Sequence, residues 1–266
     1  MSNYFIKHFY DQVKDTNWPD IKTYNDFLNL PDWIKHECNN IHCFTQRLNE
    51  LEDKNYWKNR QSHSYGYQYK NAVYIPVLKC ASSYYTKLFK DKLGWRQVNL
   101  SSLDFDKIKA FGLLMDPMVR KVKGITQVLC ESFDNDYDAI LSLFNNPRFA
   151  QFVSRITILD AHTIPYTVAF GELLNKIHWI PMELFTDNGI REQIIEFLEE
   201  TGISAPVPND ERINMSSDKK EKIFLMIENI FFKNEPPSEV GLIFANDVKF
   251  YNSLLNKYAN CHNHNL

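Results

Sequence analysis

The chain has 266 residues, of which 44% are hydrophobic and 24% charged, a composition that is typical of a globular protein and excludes a disordered one. Its formal net charge of −3 at pH 7 argues against general nucleic-acid binding, so no nucleic-acid partner is expected. No apolar run reaches the roughly 18 residues that a membrane-spanning helix needs, so no membrane contact is expected.

Residues 1–60 form a first segment, rich in aromatic, asparagine and charged side chains, which is expected to be a mainly helical extension. Lys7, His8 and Asp11 interrupt its beginning and make it a poor signal peptide. The five cysteines of the chain are irregularly spaced, which favours reduced thiols. Four residues of zinc-binding types fit no common zinc spacing, so no metal site is predicted for His36, Cys38, His42 and Cys43.

Residues 61–266 are expected to form one α/β domain, which opens with a polar, turn-like segment at residues 61–70. Residues 73–78 are apolar and β-branched and predict a buried strand, and a helix is predicted to begin at Ser82. The turn between them carries Lys79. Because the first N–H groups of a helix are unpaired and its dipole is positive there, this turn predicts an anion site. It lacks the glycines of a Walker A loop, so a nucleotide-dependent kinase is a weak alternative.

A second strand-to-helix turn follows. Residues 95–100 and 110–115 predict two further strands, with a capped short helix between them at residues 101–109. Asp116 is a good N-cap, and Pro117 suits the first position of the next helix. Two such turns predict a parallel sheet, and ligands bind these sheets beyond the carboxyl ends of their strands.

Three basic residues lie in the helix that follows Pro117. Arg120 and Lys123 are three residues apart and are expected on one helix face, where they offer positive charge to an anion. A solvated cationic stripe that includes Lys121 is an equally good interpretation.

The remaining elements complete an α/β pattern. Helices are predicted within residues 137–155, a strand at residues 177–182, and then a helix that Asp187 caps. A C-terminal helix is predicted up to Tyr258, and the tail that contains Cys261 is expected to be disordered.

Four motifs of residues 70–258, taken in order, resemble the sulfotransferases, and the carbohydrate sulfotransferases in particular. The turn at Lys79 is similar to the family's 5′-phosphosulfate loop. The second turn is similar to its 3′-phosphate segment at Phe111, Asp116, Pro117 and Arg120, although Met115 and Lys123 replace the usual arginine and serine. The third motif matches at Asp160, His162, Pro165 and Glu183, with Tyr166 in place of a glutamine, and the fourth at Asn214, Ser216 and Ser217.

The resemblance implies a P-loop-like three-layer sandwich around a mostly parallel sheet. It also implies 3′-phosphoadenosine-5′-phosphosulfate (PAPS) as the sulfuryl donor, no metal, and a hydroxyl acceptor, expected to be a glycan. Lys79 would neutralise the leaving oxygen, and the backbone of Cys80, Ala81, Ser82, Ser83 and Tyr84, with the two serine hydroxyls, would hold the phosphosulfate. His162 is the first candidate for the base and Glu183 the second.

The other cofactor contacts implied are Arg120 and Lys123 as replacement charge for the 3′-phosphate, together with Asn214, Ser216 and Ser217. Each has a structural alternative: Ser216 or Ser217 also suits a helix N-cap, and a lone histidine such as His162 is often structural. Met115 and Lys123 favour a different class of protein, a non-catalytic viral or structural component on the same fold. Golgi members of the family carry a membrane anchor and this chain shows none, so we expect a cytoplasmic protein of bacterial or viral origin. The sequence does not indicate an oligomeric state.

Overall fold

The computed structural model describes residues 65–145, 165–204, 217–233 and 238–263, together with the single positions 150, 153, 162, 163 and 207. These residues belong to two compact units that alternate along the chain. The sheet unit contains the described residues of 65–117, 165–207 and 246–263, and the helical unit those of 118–163 and 217–245. The predicted N-terminal extension and its boundary at residue 60 lie outside the described residues.

A five-stranded sheet forms the centre of the sheet unit, in the order β3-β1-β2-β4-β5. Its strands are β1 Tyr65–Tyr69, β2 Ala72–Ile75, β3 Arg96–Asn99, β4 Lys109–Leu114 and β5 Ile177–Pro181. Strands β2, β4 and β5 are parallel neighbours, whereas β1 is antiparallel to both β2 and β3. The sheet is therefore mixed and mostly parallel, which confirms the predicted α/β class.

The described helices are α1 Ser82–Thr86, α2 Pro117–Ser132, α3 Tyr137–Leu143, α4 Tyr166–Phe170, α5 Asp187–Glu200, α6 Asp218–Lys233 and α7 Ser238–Asn263. Helix α1 continues directly into a π-helical turn at Lys87–Lys92. The predicted starts at Ser82 and Pro117 are confirmed. Within the described residues, no helix combines the length and the apolar character that crossing a membrane requires.

Strand β1 occupies the described part of the segment at residues 61–70 that was expected to be turn-like. Its tyrosines at 65, 67 and 69 alternate with Gly66 and Gln68, which is the period of two of a strand. Gly66 lies so close to β2 that a Cβ at this position would be 2.7 Å from the Val73 side chain. The polar composition of the segment was therefore misleading, and its aromatic alternation was the correct signal.

Two further element predictions were wrong at residues 101–109 and at the C-terminus. Residues 100–102 form a 3-10 turn instead of an α-helix, because the Asn99 side chain accepts the Ser101 N–H at 3.0 Å and satisfies the turn locally. Helix α7 continues to Asn263 and includes Cys261, which was expected in a disordered tail. The predicted cap of α5 was wrong as well: the Thr186 hydroxyl caps this helix, and Asp187 lies in its first turn.

Aromatic side chains dominate the core of the sheet unit. Phe89 lies 4.7 Å from Tyr74 and 4.6 Å from Trp95 between ring centroids, and Phe111 lies 4.8 Å from Phe197 of α5. These rings are buried and bring the face of β2 and β4 against the helices around them.

The helical unit has its own core, formed by the apolar faces of three helices. Its buried residues include Ile125 and Leu129 of α2, Ile140 of α3, and Ile223 and Ile227 of α6. Each unit thus encloses a hydrophobic cluster of its own.

Candidate functional site

The turn after β2 has an unusual backbone. The Cys80 N–H donates to the Val77 carbonyl at 3.0 Å, which closes a tight turn around Lys79. Lys79 and Ala81 both have positive φ values, of 71° and 54°, while Cys80 between them does not. Alternation of left-handed and right-handed residues directs successive N–H groups toward one point and forms an anion-binding concavity. Each left-handed non-glycine residue costs about 1–2 kcal/mol, so the surrounding structure holds this turn in place.

The turn leads directly into α1, whose first N–H groups have no side-chain cap. The amides of Ser82 and Ser83 lack intrahelical acceptors because they lie in the first turn. The Ser83 side chain is exposed and the Ser82 side chain is buried, so Ser83 is the hydroxyl that an external anion can reach. The Cys80 N–H donates within the turn and is therefore not available to an anion. The predicted anion site is thus limited to the amides that follow Cys80. Lys79 itself is half-buried beside them.

Tyr166 joins this turn to the end of β4. Its buried hydroxyl donates to the Met115 carbonyl at 3.0 Å, accepts the Met115 N–H at 3.4 Å, and lies 3.4 Å from the Cys80 Sγ. The sequence showed Tyr166 only as a departure from the family's glutamine. In the structure, the Tyr166 hydroxyl connects the first two strand-end loops.

Asp247 in turn holds the segment that carries Tyr166. This fully buried carboxylate accepts the N–H groups of Tyr166 and Thr167, the latter at 2.8 Å, and the Thr167 hydroxyl at 2.6 Å. It therefore caps α4 from a position some 80 residues away along the chain. A carboxylate at a helix N-terminus is favourable because the helix dipole is positive there. Nothing in the local sequence indicated this contact.

Glu183 joins the end of β4 to the end of β5. One of its oxygens accepts the Asp116 N–H at 2.7 Å, and the other accepts the hydroxyl of Tyr251. Burial and the neighbouring Glu183 carboxylate raise the pKa of Tyr251 well above its ordinary value, so this phenol stays protonated and donates. Both Glu183 oxygens thus accept hydrogen bonds, which makes this residue a link between loops.

The basic residues of α2 differ in their exposure to solvent. Arg120 is only 1% exposed and Lys121 is fully buried, whereas Lys123 is exposed. The solvated stripe that was the alternative interpretation is therefore wrong. The Lys121 Nζ lies 4.5 Å from the Phe231 ring centroid and 5.0 Å from that of Phe244, with no hydrogen-bond partner among the described residues. Burial holds the pKa of this lysine well below its ordinary value.

His162 belongs to the helical unit, whereas Lys79 and Glu183 belong to the sheet unit. It is half-buried in a turn against α2, where a Cβ at Gly124 would lie 2.7 Å from the His162 carbonyl oxygen. Only glycine allows this close approach. Ser217 caps α6, since its hydroxyl accepts the Lys220 N–H at 3.3 Å, which confirms the structural alternative. Asp160, Asn214 and Ser216 lie outside the described residues.

No group of three or more His, Cys, Asp or Glu side chains within the described part of the chain is placed to hold a metal ion. The histidines and cysteines of residues 36–43 lie outside that part. Comparison of the chain with protein-family models, curated proteins and solved structures found no match. The relation to the sulfotransferases therefore rests on the residues themselves.

Proposed function

We propose that the chain is a PAPS-dependent sulfotransferase that transfers a sulfuryl group to a hydroxyl acceptor, expected to be a carbohydrate, on a P-loop-like three-layer fold. One observation carries this proposal: the left-handed turn at Lys79 and Ala81, at the carboxyl end of a parallel strand, leads into a helix without a side-chain cap. Such a turn with one lysine suits a doubly charged 5′-phosphosulfate.

The chain fits the two ends of this donor unequally. The 5′ end meets Lys79 and the first amides of α1. At the 3′-phosphate segment, Met115 replaces the family's arginine, is only 4% exposed, and has its backbone bonded to Tyr166. Arg120 is buried too, so Lys123 is the exposed cation of this segment. The contacts of Arg120, Lys123, Asn214, Ser216 and Ser217 with the cofactor stay predictions.

Bound PAPS would supply an activated sulfuryl group, whose sulfur–oxygen bond to the 5′-phosphate breaks as an acceptor oxygen attacks in line. The Lys79 ammonium would neutralise the charge that develops on the leaving oxygen. The amides of Ser82 and Ser83 would fix the anion so that attack is in line. A base takes the acceptor's proton. His162 is the first candidate for this role and Glu183 the second, as the resemblance implies.

Met115 also supports a second candidate function, a non-catalytic protein on the same scaffold. An enzyme of this type needs charge at the 3′-phosphate, and a buried methionine at the end of β4 supplies none. In this candidate, the hydrogen bonds of Tyr166 and Glu183 stabilise the loops without serving a reaction.

Adenosine 3′,5′-bisphosphate distinguishes the two candidates. A concentration 100-fold above its Kd should stabilise the enzyme by about 2.7 kcal/mol, or roughly 5–10 °C in Tm, as measured by scanning fluorimetry. Lys79→Ala should lose most of this shift and abolish transfer from labelled PAPS, whereas the exposed control Lys90→Ala should keep both. No shift at millimolar ligand would support the non-catalytic protein.

A further inference from the structure

A second concave site lies within the sheet unit, between β5, α5 and α7. It encloses about 430 Å³, which is within the range of small-molecule sites. Its lining begins at Leu174 and Asn175, before the first residue of β5. It is therefore at the amino-terminal half of this strand, whereas Lys79 follows the carboxyl end of β2. The cavity is therefore separate from the turn proposed for sulfuryl transfer.

His178 forms part of the cavity wall and has a defined tautomer. The Tyr258 hydroxyl donates its one proton to the Trp179 carbonyl, at 3.1 Å, and lies 3.1 Å from the His178 Nε2. Since the hydroxyl proton is already used, Nε2 must donate to the Tyr258 oxygen, and the neutral ring carries its proton on Nε2. Burial, and then the nearby Lys257, lower the pKa of His178 and keep the ring neutral at pH 7. Nδ1 is left as an acceptor, with no partner among the described residues.

The charged side chains around the cavity give it a net negative charge. Glu196 and Glu200 lie one turn apart on α5, and Lys257 lies on α7. In the part of the chain that the structure describes, Glu200 and Lys257 form no ion pair, with each other or with another residue. Phe197, whose ring is 5.3 Å from that of His178, and Phe250 supply apolar surface. The lining thus combines two carboxylates, one ammonium and the His178 ring with apolar side chains.

We propose that this cavity binds a small organic cation, a protonated primary amine carried on an apolar body. The ammonium donates to the His178 Nδ1 and faces Glu196 and Glu200, while the body packs against Phe197 and Phe250. A carboxylate ligand would instead meet two like charges and an acceptor nitrogen. Lys257 repels the cation and sets a limit to the affinity.

Isothermal titration with 2-phenylethylammonium tests the proposal, with 2-phenylethanol and phenylacetate as neutral and anionic probes of the same body. The cation should bind about tenfold more tightly than the alcohol, because hydrogen bonds to charged groups exceed neutral ones by about 1.4 kcal/mol. Phenylacetate should not bind. The proposal would be overturned by equal binding of the cation and the alcohol, or by tighter binding of phenylacetate. It would also be overturned if no probe gave heat at 10 mM, which is roughly the weakest affinity such a site would have.

Three variants locate the binding. Glu200→Gln, at an exposed position, should weaken the ammonium about threefold, and Lys257→Ala should tighten it by a similar factor. His178→Phe should weaken it about tenfold while circular dichroism confirms the fold. Unchanged affinity in Glu200→Gln and Lys257→Ala together would place the ligand elsewhere and refute the site.

Discussion

Lys121→Met is the substitution whose effect the structure defines most sharply. The Lys121 ammonium is fully buried, and the described residues offer it two aromatic rings but no hydrogen-bond acceptor. Cation–π contacts contribute about 0.5–2 kcal/mol each, whereas burying an ammonium costs several kcal/mol. Because desolvation is the larger effect, the lysine destabilises the fold at neutral pH. Methionine has a similar length and no charge, so it should raise the free energy of unfolding by about 1–4 kcal/mol.

The sign of the pH dependence follows from the same lysine. Its pKa in the folded chain lies below the unfolded value of about 10.4, so between the two values the unfolded chain binds more protons. The wild-type free energy of unfolding should therefore rise with pH across this window, by about 1.4 kcal/mol per pH unit attributable to Lys121. Lys121→Met should lack this contribution, so the two proteins should converge in stability as pH approaches 10.

Urea unfolding followed by tryptophan fluorescence at pH 7, 8, 9 and 9.5 measures both effects. Lys123→Met, exposed and two residues further along α2, is the matched control and should change stability by less than about 0.5 kcal/mol. Destabilisation by Lys121→Met, or a difference between the proteins that does not shrink with pH, would refute the reasoning. Either result would mean that the ammonium has a favourable partner.

Two predictions concern the contacts that position the strand-end loops. Tyr166→Phe removes a donor to the buried Met115 carbonyl and should lower the free energy of unfolding in urea by about 1–3 kcal/mol. The control Tyr69→Phe, on an exposed ring, should leave stability unchanged. Equal effects of the two substitutions would show that the Tyr166 hydroxyl is unimportant. Asp247→Asn keeps the size of the side chain but loses an acceptor for the Tyr166 and Thr167 amides. It should lower the free energy of unfolding by about 2–4 kcal/mol at pH 7. Wild-type stability in this variant would exclude the cap at α4.

The parallel part of the sheet was predictable because its signals are local. Strands β2, β4 and β5 are short apolar runs, and Ser82 and Pro117 begin helices at positions that their residue types favour. Strand β1 was missed because a polar composition concealed the alternation of its tyrosines. The turn at residues 100–102 was missed because the Asn99 side chain competes with the helix for backbone hydrogen bonds.

The candidate site was predictable in part for the same reason. Lys79 lies in a turn that the adjoining strand and helix define, so its type and position indicated an anion site before the fold was known. The burial of Arg120 and Lys121 was not predictable, because it depends on which face of the helix packs against other elements. Their positive charge suggested a solvated stripe, whereas packing against Phe231 and Phe244 placed Lys121 in the core.

The sequence by itself determined the α/β class, the strand-to-helix turns and the lysine at the first of them, since each depends on residues close together in the chain. Only the tertiary structure decided how the loops are held. Asp247 reaches Tyr166 from 81 residues away, and Glu183 reaches Asp116 from 67 residues away. A hydrogen bond requires a donor and an acceptor within about 3 Å, and folding alone brings such distant residues to that separation.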